Sequence, residues 1–281
     1  MRALVFGGSG QIGAALLPRL RDSGWEVMAV SREARGDAPG LRWLRGDLAR
    51  CEGLPAAVDA IFSCGPLDHF ARWYQDPPVQ APRVVAFGST SVSVKQDSAD
   101  RDERDLAARL AGAEQALFAT AAAHGAQATV LRPTLVYGAG RDQTIARMAR
   151  FAARRGWLPI PSGATGLRQP VHVDDLAAAA MAVLDVPATQ GRAYALPGGE
   201  TLPFRAMVAR TLAALPGQPR LVELPSPVFA MLAAGARLAG RGTGLGRSAI
   251  ARLREDLVFD AGPARADFDY APRAFQPRRE G

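Results

Sequence analysis

The chain has 281 residues, of which 48% are hydrophobic and 22% charged, and its formal net charge is +7. These fractions are ordinary for a soluble globular protein, and the length allows one large domain or one and a half. The basic charge suggests a nucleic-acid binder, but Lys95 is the only lysine and the arginines are scattered among alanines. With no arginine block and no nucleic-acid-binding motif, we predict no nucleic-acid partner.

The cysteine content and the apolar runs indicate in which cellular compartment the protein works. Cys51 and Cys64 have no metal-ligand spacing, so we predict no metal site and a reducing environment. The first residues lead directly into an apolar strand without the pattern of a signal peptide. The most apolar later stretch, PSPVFAMLAAGARLAG, is too short and too interrupted to span a membrane. We therefore predict a cytoplasmic protein without a membrane span.

The first half of the chain alternates short apolar runs with helical patterns, which is typical of a parallel sheet covered on both faces. The predicted strands are RALVF, WEVMAV, LRWL, AVDAIFSC, RVVAFGS and ATVLRP. Helices are predicted at QIGAALLPRLRD and over residues 103–124. The fold class is therefore α/β, a Rossmann-type doubly wound parallel sheet.

The second half is less regular. Helices are predicted over 142–155, 174–185 and 204–215, with a short strand at QPVHV and further apolar segments YALPG and RLVEL before a second pair of helices. We assign residues 1–140, with parts of 165–200, to the Rossmann domain, and residues 141–281 to a smaller C-terminal α/β substrate lobe.

A glycine-rich turn, LVFGGSGQIG, joins the first strand to the first helix. Gly7 suits a left-handed turn, Gly10 lets the backbone approach a diphosphate, and Gly13 lets helix and sheet pack closely. Gln11 and Ile12 open a helix whose free N–H groups and dipole favour a phosphate. We predict a dinucleotide site here; the alternative is a tight turn without a ligand.

The end of the second strand indicates which dinucleotide is bound. An NAD site commonly has an acidic residue there, which takes the ribose hydroxyls. Here Ser31 and Arg32 stand at that point, with Arg35 nearby, and Arg32 suits a 2′-phosphate by charge and by stacking on adenine. Glu33 follows one residue later and leaves NAD open. We predict NADP, with NAD as the less favoured alternative and a solvated surface role as the other reading of Arg32.

Five segments together resemble the extended short-chain dehydrogenases/reductases, the NAD-dependent epimerase/dehydratase group: GGSGQIG, GDL at 46–48, FGSTS at 87–91, LRPTLVYG at 131–138 and QPVHVDDLAAA at 169–179. The resemblance covers essentially the whole chain. It implies a Rossmann domain with a small C-terminal substrate lobe. It further implies cofactor contacts at Asp47 and Leu48 (adenine), Cys64 and Gly65 (ribose and phosphate), and Pro133, Leu135 and Val136 (nicotinamide), with His172 and Asp174 helping to join the lobes.

That family is known for a tyrosine and a lysine four residues apart on the long helix after the fifth strand. Aligned on Glu114, the two positions become Leu106 and Leu110, and no Tyr-x-x-x-Lys occurs anywhere in the chain. The resemblance is therefore to an atypical member without the usual proton-transfer pair.

The remaining hydroxyls are the candidate catalytic groups. Thr90 matches the family's serine/threonine position and, with Ser89, lies where a nicotinamide would be; the alternative is that these hydroxyls satisfy the backbone at the strand end. Tyr137 is the best remaining hydroxyl near the cofactor, with Arg141 four residues on as a group that would lower its pKa.

Two functions from different classes remain. The first is an NADP(H)-dependent oxidoreductase or epimerase-like protein of atypical short-chain type acting on an unknown small molecule, and the second is a non-catalytic NADP(H)-binding redox sensor or a structural or assembly protein. Between the fourth and fifth strands, residues 65–82 leave room for one short helix at most, where the extended family has a long helix near its dimer interface. We therefore predict a monomer or a weak homodimer.

Overall fold

A computed structural model describes residues 1–142, 144–238 and 250–277. Its strands are β1 (Arg2–Phe6), β2 (Glu26–Ser31), β3 (Leu41–Arg45), β4 (Ala60–Ser63), β5 (Arg83–Phe87), β6 (Gln127–Pro133), β7 (Val136–Tyr137), β8 (Trp157–Pro161), β9 (Leu167–Arg168), β10 (Val171–His172), β11 (Arg192–Leu196), β12 (Leu202–Pro203) and β13 (Arg220–Leu224). Its α-helices are α1 (Gln11–Asp22), α2 (Leu67–Tyr74), α3 (Ser91–Val94), α4 (Arg101–Ala123), α5 (Ile145–Arg155), α6 (Val173–Ala182), α7 (Phe204–Ala213), α8 (Ser226–Leu238) and α9 (Gly262–Phe268), and a 3₁₀ turn covers Pro187–Thr189.

The core of the fold is a seven-stranded sheet in the order β11-β6-β5-β4-β1-β2-β3. Every neighbouring pair in it is parallel. The order reverses direction at β1, as in a doubly wound sheet, and this is the place where such sheets bind ligands at the strands' carboxyl ends. The predicted α/β Rossmann-type class is confirmed, and each of the six predicted strands of the first half is present.

Helices cover both faces of this sheet. In β1, Ala3 and Val5 point into an apolar cluster with α1 and α6, whereas Leu4 and Phe6 point into a second cluster with α2 and α4. Successive side chains of a strand alternate between faces, so a strand covered on both sides must be apolar at every position. This requirement explains the unbroken apolar runs of the sequence.

Between β4 and β5 the chain makes one helix, α2, of eight residues. The prediction of a single short helix over residues 65–82 is confirmed. The helix packs against α4 on the sheet face opposite to α1.

The second half of the chain builds short strand pairs and helices around its own apolar cluster, which includes Tyr137, Met207 and Phe275. The pairs are β10 with β7, β12 with β9 and β13 with β8. The helix predicted from residue 142 begins at Ile145, and the buried Asp142 carboxylate before it accepts the N–H groups of Thr144 and Ala146 at 3.0 Å. In the described part of the chain, no helix has the length and apolar character needed to cross a membrane.

Candidate functional site

The glycine turn lies between β1 and α1, at the carboxyl end of the central strand. Gly7 has a φ of +73°, a left-handed conformation that favours glycine, and its carbonyl accepts the Gly10 N–H at 2.9 Å. A Cβ on Gly13 would lie 2.3 Å from the Gly7 oxygen, so only glycine allows α1 to pack this close. Gly10 provides no side-chain cap for α1, and the first turn holds no acidic residue.

This turn fits a dinucleotide diphosphate. A Cβ on Gly10 would meet only the Gly7 oxygen within 4 Å, at 3.1 Å, apart from its chain neighbours, so the space around that position is otherwise clear. Gln11 and Ile12 begin α1 there, where helix N–H groups have no intrahelical partner. The Gln11 Oε1 atom is buried and has no hydrogen-bond partner within the described ranges. An amide oxygen accepts hydrogen bonds, as phosphate oxygens do, so the groups here that suit a diphosphate are the glycine backbone and the free N–H groups at the start of α1.

The end of β4 closes one side of the turn. A Cβ on Gly7 would lie 2.9 Å from the Cys64 carbonyl carbon and 3.0 Å from the Gly65 nitrogen, so the two backbones are in close contact. Burial raises the pKa of the Cys64 thiol to about 12, which leaves it neutral and a poor nucleophile. Cys64 and Gly65 are therefore adjacent to the turn and offer a ligand backbone and a neutral thiol.

The ends of β2 and β3 carry the charged groups. Ser31 is buried, and its Oγ accepts the Glu33 N–H at 3.2 Å and the Arg35 Nε at 3.3 Å. The Arg35 guanidinium lies 5.2 Å from the centre of the Trp43 ring, which is cation–π distance. Arg35 is thus engaged with the protein, whereas Arg32 is exposed to solvent.

Asp47 follows β3 and lies close to Arg32. The N–H groups of Arg50 and Ala49 donate to its Oδ1 at 3.0 and 2.8 Å; these bonds are the main cause of its lowered pKa, to which the charge of Arg32 adds. Leu48 is half-buried against the apolar cluster of α2 and α4. Arg32, Asp47 and Leu48 thus lie at adjacent strand ends of one edge of the sheet.

The hydroxyls after β5 are bonded to the protein itself. Thr90 is buried, and both its N–H (3.3 Å) and its Oγ1 (3.2 Å) donate to the Pro133 carbonyl at the end of β6. The Ser89 Oγ accepts the Ser91 N–H at 3.1 Å. In both contacts the hydroxyl bonds to a backbone group near the strand end, which is the alternative to a catalytic role for Thr90 and Ser89. Past Pro133, the Leu135 carbonyl accepts the Val171 N–H at 2.9 Å and Val136 pairs with Val171, so β7 is fixed against β10.

Tyr137 is buried with its hydroxyl turned to the C-terminal tail. Its oxygen accepts the Gln276 N–H at 3.2 Å and donates to the Ala274 carbonyl at 3.4 Å. Burial raises the pKa of Tyr137, so the prediction that Arg141 lowers it is wrong. The Arg141 guanidinium instead donates to the Ser9 carbonyl in the glycine turn at 3.1 Å.

His172, expected to help join the lobes, lies against this tyrosine. The two rings pack edge to face with centroids 5.0 Å apart, and His172 Nδ1 accepts the Asp174 N–H at 3.2 Å, which caps α6. The following carboxylate, Asp175, pairs with Arg273 of the tail at 2.8 Å. Together these contacts attach the C-terminal tail to β7 and α6.

The two positions that the resemblance aligns with the family's tyrosine and lysine lie in and against the apolar cluster between the sheet, α2 and α4. Leu110 is buried there, and Leu106 packs against its edge. One turn further along α4, the buried Glu114 carboxylate accepts the Arg132 Nε at 2.9 Å and joins α4 to β6. The helix is held by packing and by this ion pair, and it offers no proton donor at Leu106 or Leu110.

Sequence reasoning missed the contacts made by distant arginines. Arg141 reaches the glycine turn, and Arg252 pairs with Glu103 at the start of α4, which contributes to lowering the pKa of Glu103 to about 2. Nothing local in the sequence marks either pairing, since the partners are 132 and 149 residues apart. An open cleft of about 670 Å³ begins at Arg141 and extends between α5 and α7, with Tyr137, Asp142, Ile145, Arg150 and Thr211 in its lining.

Comparison with known proteins finds relatives of this chain by sequence and by structure. The chain is 28% identical to the 2-alkyl-3-oxoalkanoate reductase of Stenotrophomonas maltophilia over 97% of this chain and 95% of that protein. It is 27% identical to the mitochondrial NADH dehydrogenase [ubiquinone] 1 alpha subcomplex subunit 9 of Arabidopsis thaliana, over 83% of this chain and 62% of that one. A solved structure of MoeE5 in complex with UDP-glucuronic acid and NAD superposes with a TM-score of 0.72 at 21% identity, over 98% of this chain and 95% of that chain.

The model of the family described as NAD dependent epimerase/dehydratase matches residues 3–90 and 79–196. These two matches contain the glycine turn, the Thr90 segment, α4, the strands β2 to β11 and all of β1 except Arg2. With a seven-stranded parallel sheet and a glycine turn at its centre, the chain belongs to the NAD dependent epimerase/dehydratase family, as a member without the Tyr-x-x-x-Lys pair.

Proposed function

We propose that the chain binds NADP(H) and acts as an oxidoreductase of atypical short-chain type on a small molecule. The observation that carries the proposal is the glycine turn at the carboxyl end of the central strand, where the space around the Cβ position of Gly10 is nearly clear of other atoms. The cofactor would supply hydride exchange at its nicotinamide. The reductase relative, which aligns over nearly the whole chain, supports this reading.

The cofactor would be held along the strand ends described above. Gly7, Gly10, Gln11, Ile12 and Gly13 would bind the diphosphate. The remaining proposed contacts are Ser31, Arg32, Asp47 and Leu48 toward the adenosine, Cys64 and Gly65 toward the ribose and phosphate, and Ser89, Pro133, Leu135 and Val136 toward the nicotinamide.

A preference for the 2′-phosphate rests on Arg32. Arg35 already donates to Ser31 and packs on Trp43, so it has less freedom to turn to a ligand. Arg32 is exposed at the end of β2, and its guanidinium can pair with a phosphate through two parallel hydrogen bonds. MoeE5 was solved with NAD, and NAD is the alternative for this chain.

Titration of the protein with NADPH and NADH, followed by tryptophan fluorescence and by thermal shift, tests this preference. We expect tighter binding of NADPH, and we expect Arg32→Asp to weaken NADPH by about tenfold or more while NADH changes little. Arg42→Asp, at an exposed position near the other end of β3, is the charge-matched control. Tighter binding of NADH by the wild type, or unchanged NADPH affinity in Arg32→Asp, would remove Arg32 from the site.

Catalysis would depend on the hydroxyls near the nicotinamide. Thr90 would hydrogen-bond the reacting oxygen once it turns away from Pro133, and the proton would come from water or from the substrate, because α4 offers no donor at Leu106 or Leu110. If turnover is found with a carbonyl, a quinone or a nucleotide sugar, we expect Thr90→Ala or Tyr137→Phe to reduce it by about tenfold or more. Turnover left intact by both changes would reject both residues as catalytic groups.

A second candidate is a non-catalytic NADP(H)-binding sensor or assembly protein. Two features favour it: Leu106 and Leu110 pack into the core, and the Tyr137 hydroxyl has a raised pKa and two backbone partners. The Arabidopsis relative is named as a subunit of a larger complex. NADPH that binds tightly but stays unoxidised across the same panel of substrates would favour this function over the oxidoreductase.

The oligomeric state is a separate proposal. Extended members of the family have a long helix near their dimer interface between the fourth and fifth strands, whereas α2, which stands there in this chain, has only eight residues. We propose a monomer or a weak homodimer. Sedimentation velocity over a range of concentrations tests this, and a dimer that persists on dilution would overturn it.

A further inference from the structure

The contact between Arg141 and the glycine turn joins two distant parts of the molecule. Arg141 Nη1 donates to the Ser9 carbonyl at 3.1 Å, although the two residues are 132 positions apart. Ser9 lies inside the turn, between Gly8 and Gly10. The contact therefore brings a guanidinium from the second half of the chain to the rim of the proposed diphosphate cradle.

The loop that carries Arg141 is held in place on both sides. Before it, Gly138 (φ +107°) packs so closely on His172 that a Cβ there would lie 2.3 Å from Nε2. The Gly140 carbonyl accepts the Arg150 Nη1 at 2.7 Å. After it, the buried Asp142 carboxylate accepts the Ala146 N–H in the first turn of α5 at 3.0 Å. These contacts hold the described residues on either side of Arg141, and from this position the guanidinium reaches the Ser9 carbonyl.

The chemistry of the contact favours an anion over the present partner. A carbonyl is a neutral acceptor, whereas a phosphate oxygen gives a guanidinium a charge-assisted hydrogen bond that is about twice as strong. The side chain of Arg141 is exposed, and a guanidinium keeps further N–H donors when one is used. The helix end of the cradle supplies only partial positive charge, so a full charge beside it would add affinity.

We propose that Arg141 binds the diphosphate of the dinucleotide and completes the cradle from the second half of the chain. This rests on the proposed function, because it assumes that a dinucleotide occupies the glycine turn. It differs from the role given to Arg32, which reads the 2′-phosphate: Arg141 contacts a group that NADH and NADPH share. Cofactor binding would then couple the glycine turn to the start of α5.

The test compares Arg141→Ala with Arg154→Ala, which removes the same charge from an exposed position further along α5. Dissociation constants are measured for NADH, NADPH and ADP-ribose, which carry the diphosphate, and for adenosine 2′-monophosphate, which lacks it. We expect Arg141→Ala to weaken the first three by about tenfold each and to leave the fourth within about twofold. The loss should shrink as salt is raised, and Arg154→Ala should behave as the wild type.

The other outcomes are also decisive. Loss of affinity for adenosine 2′-monophosphate to the same degree, with a lower melting temperature of the free protein, would mean that Arg141 only supports the turn and would overturn the proposal. Unchanged affinity for all four ligands would overturn it as well, while leaving the proposed function intact. Failure of the wild type to bind any dinucleotide would instead reject the proposed function. If Arg141→Ala does not fold, Arg141→Lys, which keeps the charge without the fork, should give a smaller loss for the same three ligands.

Discussion

The glycine turn and helix α4 are the two regions on which the chemistry of the wider family depends, and they differ sharply in this chain. At the turn, Gly7 and Gly13 keep the backbone geometry, and Gly10 leaves space for a ligand. On α4, Leu106 and Leu110, which the resemblance aligns with the family's tyrosine and lysine, pack in and against the apolar cluster. One region retains a shape suited to binding, while the other has become part of the core.

The difference teaches that cofactor binding and proton transfer rest on separate parts of this fold. The cradle depends on backbone conformation and close approach, which three glycines can preserve without any reactive side chain. Proton transfer depends on particular side chains, and a helix can exchange them for apolar ones while keeping its position. Here Glu114 and Arg132 still join α4 to β6.

The largest expected effect comes from a methyl group added to the turn. In Gly13→Ala the Cβ would lie 2.3 Å from the Gly7 oxygen and 2.6 Å from the Gly8 Cα, so the backbone must move. We expect the free energy of unfolding to fall by about 3–4 kcal/mol, together with loss of NADPH binding, measured by urea denaturation and by titration. The same change in α4, Gly112→Ala, meets no atom within 4 Å and should stabilise the protein by about 0.5–1 kcal/mol. Equal effects at both glycines would contradict the difference between the two regions.

A smaller effect is expected when the packing of α4 is reduced. Leu110→Ala removes buried methyl groups from the cluster with α2 and the sheet, and should lower the free energy of unfolding by about 2–3 kcal/mol. NADPH affinity should stay within about twofold, since the side chain serves packing. The neighbouring Arg109→Ala, which loses only an exposed ion pair to Asp68 at 3.9 Å, should cost about 0.5 kcal/mol or less. If Leu110→Ala left the stability unchanged but weakened cofactor binding, α4 would have to be part of the cofactor site.

The smallest of the three effects concerns the ion pair at the start of α4. The pKa of Glu103 is lowered from 4.5 to about 2, mainly by the hydrogen bond from Arg252, with smaller contributions from Ser98 and from the charges of Arg252 and Lys95. A carboxyl whose pKa is depressed by folding stabilises the protein above its unfolded pKa, and that contribution disappears as the pH falls toward 2. We expect Glu103→Gln to cost about 1–2 kcal/mol near neutral pH and clearly less near pH 2, where about half of the folded molecules have the carboxyl protonated, by urea denaturation at both.

Glu26→Gln is the control for this pH dependence. Glu26 is exposed at the start of β2, so its replacement should change the free energy of unfolding little at either pH. A Glu103→Gln variant that loses as much stability near pH 2 as near neutral pH would mean that the side chain acts through packing and not through its charge.

The sequence by itself determined the sheet, the glycine turn and the loss of the Tyr-x-x-x-Lys pair. These depend on local pattern. A strand covered on both faces must be apolar throughout, and a left-handed turn at position 7 favours glycine. The absence of a Tyr-x-x-x-Lys pair can be read directly from the residues. The short helix between β4 and β5 followed from the number of residues available.

Only the tertiary structure decided what the remaining side chains touch. It turned the Tyr137 hydroxyl to the C-terminal tail, tied Thr90 to Pro133 and brought Arg141 to Ser9. The physical reason is that these hydrogen bonds join residues 43, 137 and 132 positions apart, which no local pattern encodes. Sequence periodicity determines which face of an element a residue occupies, and the packing of the whole chain determines which residue it contacts on that face.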